Sequence, residues 1–458
     1  MRNKIKEVPG LQYIADNMEL MSSLGRQRML DQPFLTDTAL LLHEQEAVTR
    51  MLRSLDTPEC TMPVNTLRHQ LMQLHDLRTT LMSLKSHYLL NEVELFEIKN
   101  LAYHCGHARK ALAEMSVDDF FVLPDLHEVF ELLDPDHAGI PNFYIYDSYD
   151  IRLAPLRRQL KQANESQQAV LMAEQNEIQQ QVITTLCDKL QPYADLLSNT
   201  METMAYIDFS LARAALAKAW GLIIPEAEGD SVTLQGLYNP RLLHHNQAIG
   251  LRYQPVNINL TPGVTLITGA NMAGKTVLLK SVGIAQLMYQ FGLPIPARHG
   301  CLQPVDDVVF CIGDEQNEMN GLSSFASEIT RISDVLRRSE HEHLLVLIDE
   351  PARTTNPIEG KALVQAIANI MESRNSITMI TTHYSQLGIN CRRLRVKGFV
   401  ESLADIPLTA QNINRFIDYS LIPDDSDEVP QEALRIAEML ECHPGLIALA
   451  RKHLSDSM

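Results

Sequence analysis

The sequence predicts an all-helical domain with a helical arm, followed by an α/β domain built on a mostly parallel sheet. Three observations lead there. Up to Trp220 the chain is dominated by apolar residues at helical spacing, with few glycines. From about Gly236 the texture changes, and 264–268, 344–349 and 377–382 are short β-branched or apolar runs, each followed by a polar loop and a helical pattern. That alternation is the pattern of parallel strands covered on both faces. Within the first run, the octet GANMAGKT places two glycines between a strand and a helix.

Composition narrows the class. At 458 residues, 45% apolar and 21% charged, the chain is long enough for two or three domains with full cores. No apolar run approaches the roughly 18 residues that span a bilayer. The opening MRNKIKEVPGLQ has no hydrophobic signal core, so the expectation is a cytoplasmic protein with no membrane partner. Seven scattered cysteines without a C-x-x-C pair suit reduced thiols. His104, Cys105 and His107 could offer metal ligands, but no second pair lies nearby in sequence. A net charge of −18 argues against DNA as a partner, because nucleic-acid binding draws most of its affinity from basic surfaces.

Taken in order, 13–113 is helical with breaks expected at Pro33, Pro58 and Pro63, and 116–141 reads as short helices and turns. Between Pro155 and Pro192 there is neither glycine nor proline, and apolar residues recur at Leu156, Leu160, Val170, Ile178, Val182, Leu186 and Leu190. About 35 helical residues extend roughly 50 Å, long enough for a projecting arm or hairpin; an ordinary bundle helix has the same spacing. The helical pattern returns over 201–220, and Pro225, Gly229 and the strand-like VTLQG mark a boundary. The expected division is a helical domain over 1–235 with its arm at about 155–203, an α/β domain over 236–423, and a helical segment over 424–458.

The octet carries the chemistry. It fits G-x-x-x-x-G-K-[ST], in which backbone N–H groups face a phosphate chain. Gly269 and Gly274 let the backbone fold closely, Ala270, Asn271, Met272, Ala273 and Val277 complete the cradle, and the new helix presents its positive end. Lys275 is placed to reach β- and γ-phosphates and Thr276 to ligate magnesium. LLVLIDE is an apolar strand that delivers Asp349 to the sheet edge, where it supports the metal, with Glu350 beside it to orient or deprotonate water. ITMITT ends at His383, where an imidazole could sense the γ-phosphate. Singly, these features also suit a plain strand-to-helix turn, a capping acid and a structural histidine. Their succession favours the functional reading.

The order GANMAGKT, DEQNEMNGLSSFASEITRISDVL, LLVLIDEPARTTNPIEG and TTHYSQL resembles the ATPase domain of the MutS family, an ABC-type P-loop fold. VNINL resembles the strand before that family's phosphate loop, and YSLIPDDSDEVPQEALRIAEML its C-terminal dimerisation region. SSLGRQRMLDQPF and LKSHYLLNEVELFEIKNL resemble lever helices of the subfamily that lacks a mismatch-reading domain. The resemblance implies ATP and Mg2+ bound at a homodimer interface, Ser323 reaching the partner's γ-phosphate, and closure that moves the levers. Two departures stand out: Ala270 and Ala273 in the loop, and Ala352-Arg353-Thr354-Thr355 in place of Gly-x-Gly-Thr. Only about fifty residues separate Pro155 from Ala205, too few for a globular DNA clamp, and charges over 151–200 balance. The implied partner is therefore a protein, and the clampless shape resembles reactivating factors of the cobalamin-dependent lysine 5,6-aminomutase or ornithine aminomutase. Mismatch repair or recombination on mismatched or branched DNA, and an ATP-binding scaffold with little turnover, remain the alternatives.

Overall fold

In the computed structural model the described residues are 1–137, 144–226, 231–269, 273–312, 324–384, 386–399, 416–424, 434, 437 and 442–456. The chain divides into two compact units. Residues 1–2, 18–32 and 46–218 form the first, and 3–17, 33–45 and 219–458 the second. The units therefore do not follow the linear boundary expected at 235/236: two segments near the N-terminus, together with 219–235, belong with the α/β region.

The first unit is helical. The helix Glu92–Glu114 opens with Asn91 accepting from the amides of Val93 and Glu94 while Glu94 accepts from the Asn91 amide, so three amide donors are satisfied at once. It buries Leu95, Ile98, Leu101, Ala102, Cys105 and Ala108 on one face. Pro63, expected to break a helix, instead lies in the first turn of Thr61–Met72, where an N–H has no intrahelical partner to lose. The long segment after Pro155 is not one helix. It runs as Leu153–Gln162 and then Glu165–Leu190, and the break falls where Asn164 and Gln167 form a second reciprocal cap. The two helices pack on each other, and Ala194–Trp220 follows directly. Asp208 of that last helix is buried and accepts from the amides of Met21 and Ser22 and from the Ser22 hydroxyl.

The second unit carries two sheets. β1 (Val232–Leu237), β2 (Val256–Leu260) and β4 (His299–Cys301) form an antiparallel sheet in the order β2-β1-β4. β3 (Gly263–Thr268), β5 (Asp307–Cys311), β6 (Leu344–Asp349), β7 (Ile377–Thr381), β8 (Arg392–Phe399) and β9 (Ile417–Pro423) form the main sheet in the order β5-β6-β7-β3-β8-β9. It is parallel except for β9, which runs antiparallel to β8. Both faces are covered, which explains why β3, β6 and β7 read as continuous apolar runs. On one face Val264, Leu266, Val346, Ile348 and Ile380 pack with Ile332, Val364, Ile367 and Met371 from the helices Ser324–Arg338 and Pro357–Glu372. On the other, Gly283 of the helix Lys275–Gln290 comes so close to the sheet that a Cβ would lie 2.3 Å from Phe310 and 2.6 Å from Leu347.

The same helix holds the N-terminal segments. Gly10 lies against Ile284, the Leu35 amide donates to the Gln290 carbonyl at 2.8 Å, and Gln290 Nε2 donates to the carbonyls of Leu35 and Val305. Among the described residues no helix is long and apolar enough to cross a membrane.

Candidate functional site

The parallel strand order decides which residues meet. β3 and β6 are not neighbours, since β7 lies between them, and the register pairs Thr381 of β7 with Ile267 on one side and Asp349 on the other. All three strands deliver their carboxyl ends to one edge, where ligands of open α/β sheets bind.

At the end of β3 the chain turns into the helix Lys275–Gln290 through Gly274, at φ +74°. Only glycine takes that conformation without strain, and the Tyr419 ring, 3.1 Å from where a Cβ would sit, closes the position to side chains. Lys275 is 3% exposed. Its Nζ donates to the Gly269 carbonyl at 2.7 Å and lies 3.2 Å from Glu350 Oε1. Thr276 Oγ1 donates to Asp349 Oδ2 at 2.7 Å, and Thr381 Oγ1 donates to Asp349 Oδ1 at 2.6 Å. The Asp349 carboxylate is thus gripped at both oxygens.

Glu350 sits just past β6 with φ +44°, a region that costs a non-glycine residue of order 1–3 kcal/mol and clusters at functional sites. Its amide donates to both the carbonyl and the hydroxyl of Thr381. Three cations surround its side chain once His383 is protonated: Lys275 at 3.2 Å, Arg353 Nη1 at 3.8 Å and His383 Nδ1 at 3.9 Å. Lys275, Thr276, Asp349, Glu350 and His383 therefore gather at one edge. Ser323, Ala270, Asn271 and Met272 lie outside the described residues.

Beside the loop is a cavity of about 270 Å³ whose walls include Tyr253, Val256, Gly274, Leu278, Val396 and Tyr419. Gln254 holds its two tyrosine-bearing walls together, donating to Asp418 Oδ1 at 2.8 Å and accepting from the Tyr419 amide at 3.2 Å. Serine, glutamine and lysine partners hold the Asp418 carboxyl well below the usual carboxylate range against the opposing effect of burial. Sequence reasoning identified neither Thr381 as a site residue nor this cavity. Thr381 was legible only as the penultimate residue of ITMITT, and Tyr253 and Tyr419 are 166 residues apart, brought together by the pairing of β8 with β9 and the approach of β2.

A strand, Gly274 at a helix start bearing Lys275 and Thr276, and a strand-borne Asp349 bonded to that threonine are consistent with the P-loop class of α/β domain. Residues 265–455 match the family described as MutS domain V. Similar proteins include the endonuclease MutS2 of Agathobacter rectalis, 36% identical over 229 residues, 49% of this chain and 28% of that protein. The endonucleases MutS2 of Enterococcus faecalis (34% over 239 residues, 51% and 29%) and Streptococcus uberis (36% over 232 residues, 50% and 29%) match similarly. These matches support the MutS family for this chain, through the half that carries the phosphate loop. The chain spans less than a third of the length of the relatives it matches.

Proposed function

We propose that this chain is a MutS-type ATPase that binds ATP with Mg2+ at the edge of the main sheet, hydrolyses it where two copies meet, and uses that closure to move its helical unit. The observation that carries the reading is the Asp349 carboxylate held between Thr276 and Thr381, with Lys275 and Glu350 alongside. The donor set suits the group: carboxylate and hydroxyl oxygens are the ligands that Mg2+ takes, and the tyrosine-walled cavity next to Gly274 has room for a base. Bound magnesium would neutralise charge developing on the phosphates. Lys275, released from the Gly269 carbonyl, binds the β- and γ-phosphates. Glu350 orients the attacking water and takes its proton, and His383 contacts the γ-phosphate side. Ser323 comes from the second copy.

For the partner, the protein-remodelling reading rests on the net charge of −18 and on residues 153–220 running as successive helices with no globular insertion. A cobalamin-dependent aminomutase has no further support among the relatives. DNA is the second reading, favoured by relatives described as endonucleases. We place the protein in the cytoplasm on the same reading.

Purified chain should hydrolyse ATP in the presence of Mg2+, and Lys275→Ala should abolish turnover. Glu350→Gln should trap ATP and sediment as a dimer. A monomer under those conditions, with or without nucleotide, overturns the paired site. Stimulation by branched duplex at low salt, fading as salt rises, selects the DNA reading; no stimulation by any duplex, with a cytosolic protein retained on Glu350→Gln, selects remodelling.

A further inference from the structure

One peptide group near the site is held from both sides by side chains that the contacts above leave unused. Ala352 is fully buried in the turn after β6, with φ +60°. Its amide donates to Glu328 Oε1 at 2.9 Å, and its carbonyl accepts from the Tyr384 hydroxyl at 3.2 Å. The helix Pro357–Glu372 is shaped around this contact. A Cβ at Gly360 would lie 2.2 Å from the Tyr384 hydroxyl oxygen and 3.0 Å from the Ala352 carbonyl oxygen. The helix Ser324–Arg338, the segment after β7 and the helix Pro357–Glu372 thus converge on one peptide two residues beyond Glu350.

That peptide belongs to the same turn as Glu350. Glu350 and Ala352 both have positive φ, a conformation that alanine and glutamate adopt only when their surroundings over-determine it. The turn has no intrinsic preference for its shape, so the bonds from outside set it. Burial pushes the Glu328 carboxyl up, with the Ala352 amide and the Arg353 charge opposing. A carboxylate is a costly acceptor for one backbone amide, since burying its charge is penalised more than burying a neutral oxygen. The Tyr384 ring also lies beside His383, tilted by 34° with ring centroids 4.4 Å apart, so the residue that holds this peptide also borders His383.

We propose that Glu328 and Tyr384 are positioning residues that, through the Ala352 peptide, aim the Glu350 carboxylate, and that turnover therefore depends on the seating of the helix Ser324–Arg338. The inference rests on the proposed ATPase reading and adds its regulation. The helix begins one residue after Ser323, the residue that the MutS resemblance sends to the second copy. A shift of this helix on pairing reaches Glu350 through a single hydrogen bond, and misplacement of a reacting group by about 1 Å can cost roughly a hundredfold in rate.

The test is steady-state ATP hydrolysis by the full chain with Mg2+, comparing wild type with Glu328→Ala, Glu328→Gln, Tyr384→Phe and the double variant Glu328→Ala/Tyr384→Phe. Glu328→Ala should lower kcat about tenfold or more, as expected for losing a hydrogen bond to a charged group, with KM for ATP within about twofold. Glu328→Gln keeps an acceptor oxygen and should recover most of the rate. The double variant should be no slower than the worse single variant, because both act on one peptide. Wild-type turnover in Glu328→Ala, a loss carried by KM, a glutamine no better than alanine, or losses that multiply would each overturn the proposal. If Glu328→Ala fails to fold, Tyr384→Phe, which removes one oxygen, carries the test: unchanged kcat sinks it. A wild-type chain with no ATPase, or a Lys275→Ala variant as active as wild type, would instead remove the underlying function.

Discussion

Replacing Thr381 with valine probes the bond that ties the proposed metal side of the site to the sheet. Thr381 is fully buried, and its hydroxyl donates to Asp349 Oδ1 at 2.6 Å. Valine preserves the branched shape, so β7 keeps its packing, and the Glu350 amide keeps the Thr381 carbonyl at 3.1 Å. What disappears is one charge-assisted hydrogen bond, worth about 1.5–3 kcal/mol, or roughly ten- to a hundredfold in an equilibrium constant, together with the second contact of the Glu350 amide, to the same hydroxyl. Without it the carboxylate is held at only one oxygen, by Thr276, and can rotate away from the position in which it is proposed to support Mg2+. The assay is ATP hydrolysis titrated with Mg2+ at saturating ATP. The half-saturating Mg2+ concentration should rise at least about tenfold in Thr381→Val and stay near wild type in Thr381→Ser. An unchanged or lower Mg2+ requirement in the valine variant, with unchanged kcat, would refute the argument that Thr381 orients Asp349.

Three further outcomes are expected. Gly274→Ala should weaken ATP binding at least about tenfold in a direct binding assay, because φ +74° strains a side-chain-bearing residue by about 1–2 kcal/mol and the new Cβ would meet the Tyr419 ring at 3.1 Å; wild-type affinity would contradict this. His104 is buried beside Gln70, with Nδ1 2.6 Å from Oε1, and burial pushes its pKa down to about 4, aided by His107, His69 and His75. The fold thus favours neutral His104 while the unfolded chain takes the proton near pH 6.5, so stability present above pH 6.5 should be lost as pH falls towards 4, by up to about 3 kcal/mol. Urea unfolding at pH 7 and pH 4.5 should show a smaller drop in His104→Gln than in wild type, and equal drops would rule it out. Lys99 and Asp134 form a buried ion pair at 3.0 Å, with side chains 5% and 1% exposed and the Tyr146 hydroxyl donating to Asp134 at 2.6 Å. Asp134→Ala leaves the ammonium buried without its counter-charge and should cost about 3–5 kcal/mol in chemical unfolding; a loss below about 1 kcal/mol would mean that the pair contributes little.

Some of this was legible because it is local. The strand and helix flanking GANMAGKT, the strand ending at Asp349 and the strand VNINL each depend on residues within a few positions, and all of them form where expected. Short-range chemistry accounts for two local details: Pro63, expected at a break, lies in the first turn of a helix, and of the arm, hairpin or bundle helix left open after Pro155 two helices form, the second capped at its start by Asn164 with Gln167.

By itself the sequence determined many of the elements and the chemical types of the proposed phosphate site, because periodicity, turn residues and a contiguous octet are properties of neighbours along the chain. Tertiary structure alone decided that β7 lies between β3 and β6, which makes Thr381 the bridge to Asp349. It also decided that Tyr253 and Tyr419 wall one cavity and that residues 3–17 and 33–45 belong to the second unit. Those facts follow from strand order and from packing between segments far apart in sequence, and no pattern within one segment encodes which distant segment will cover it.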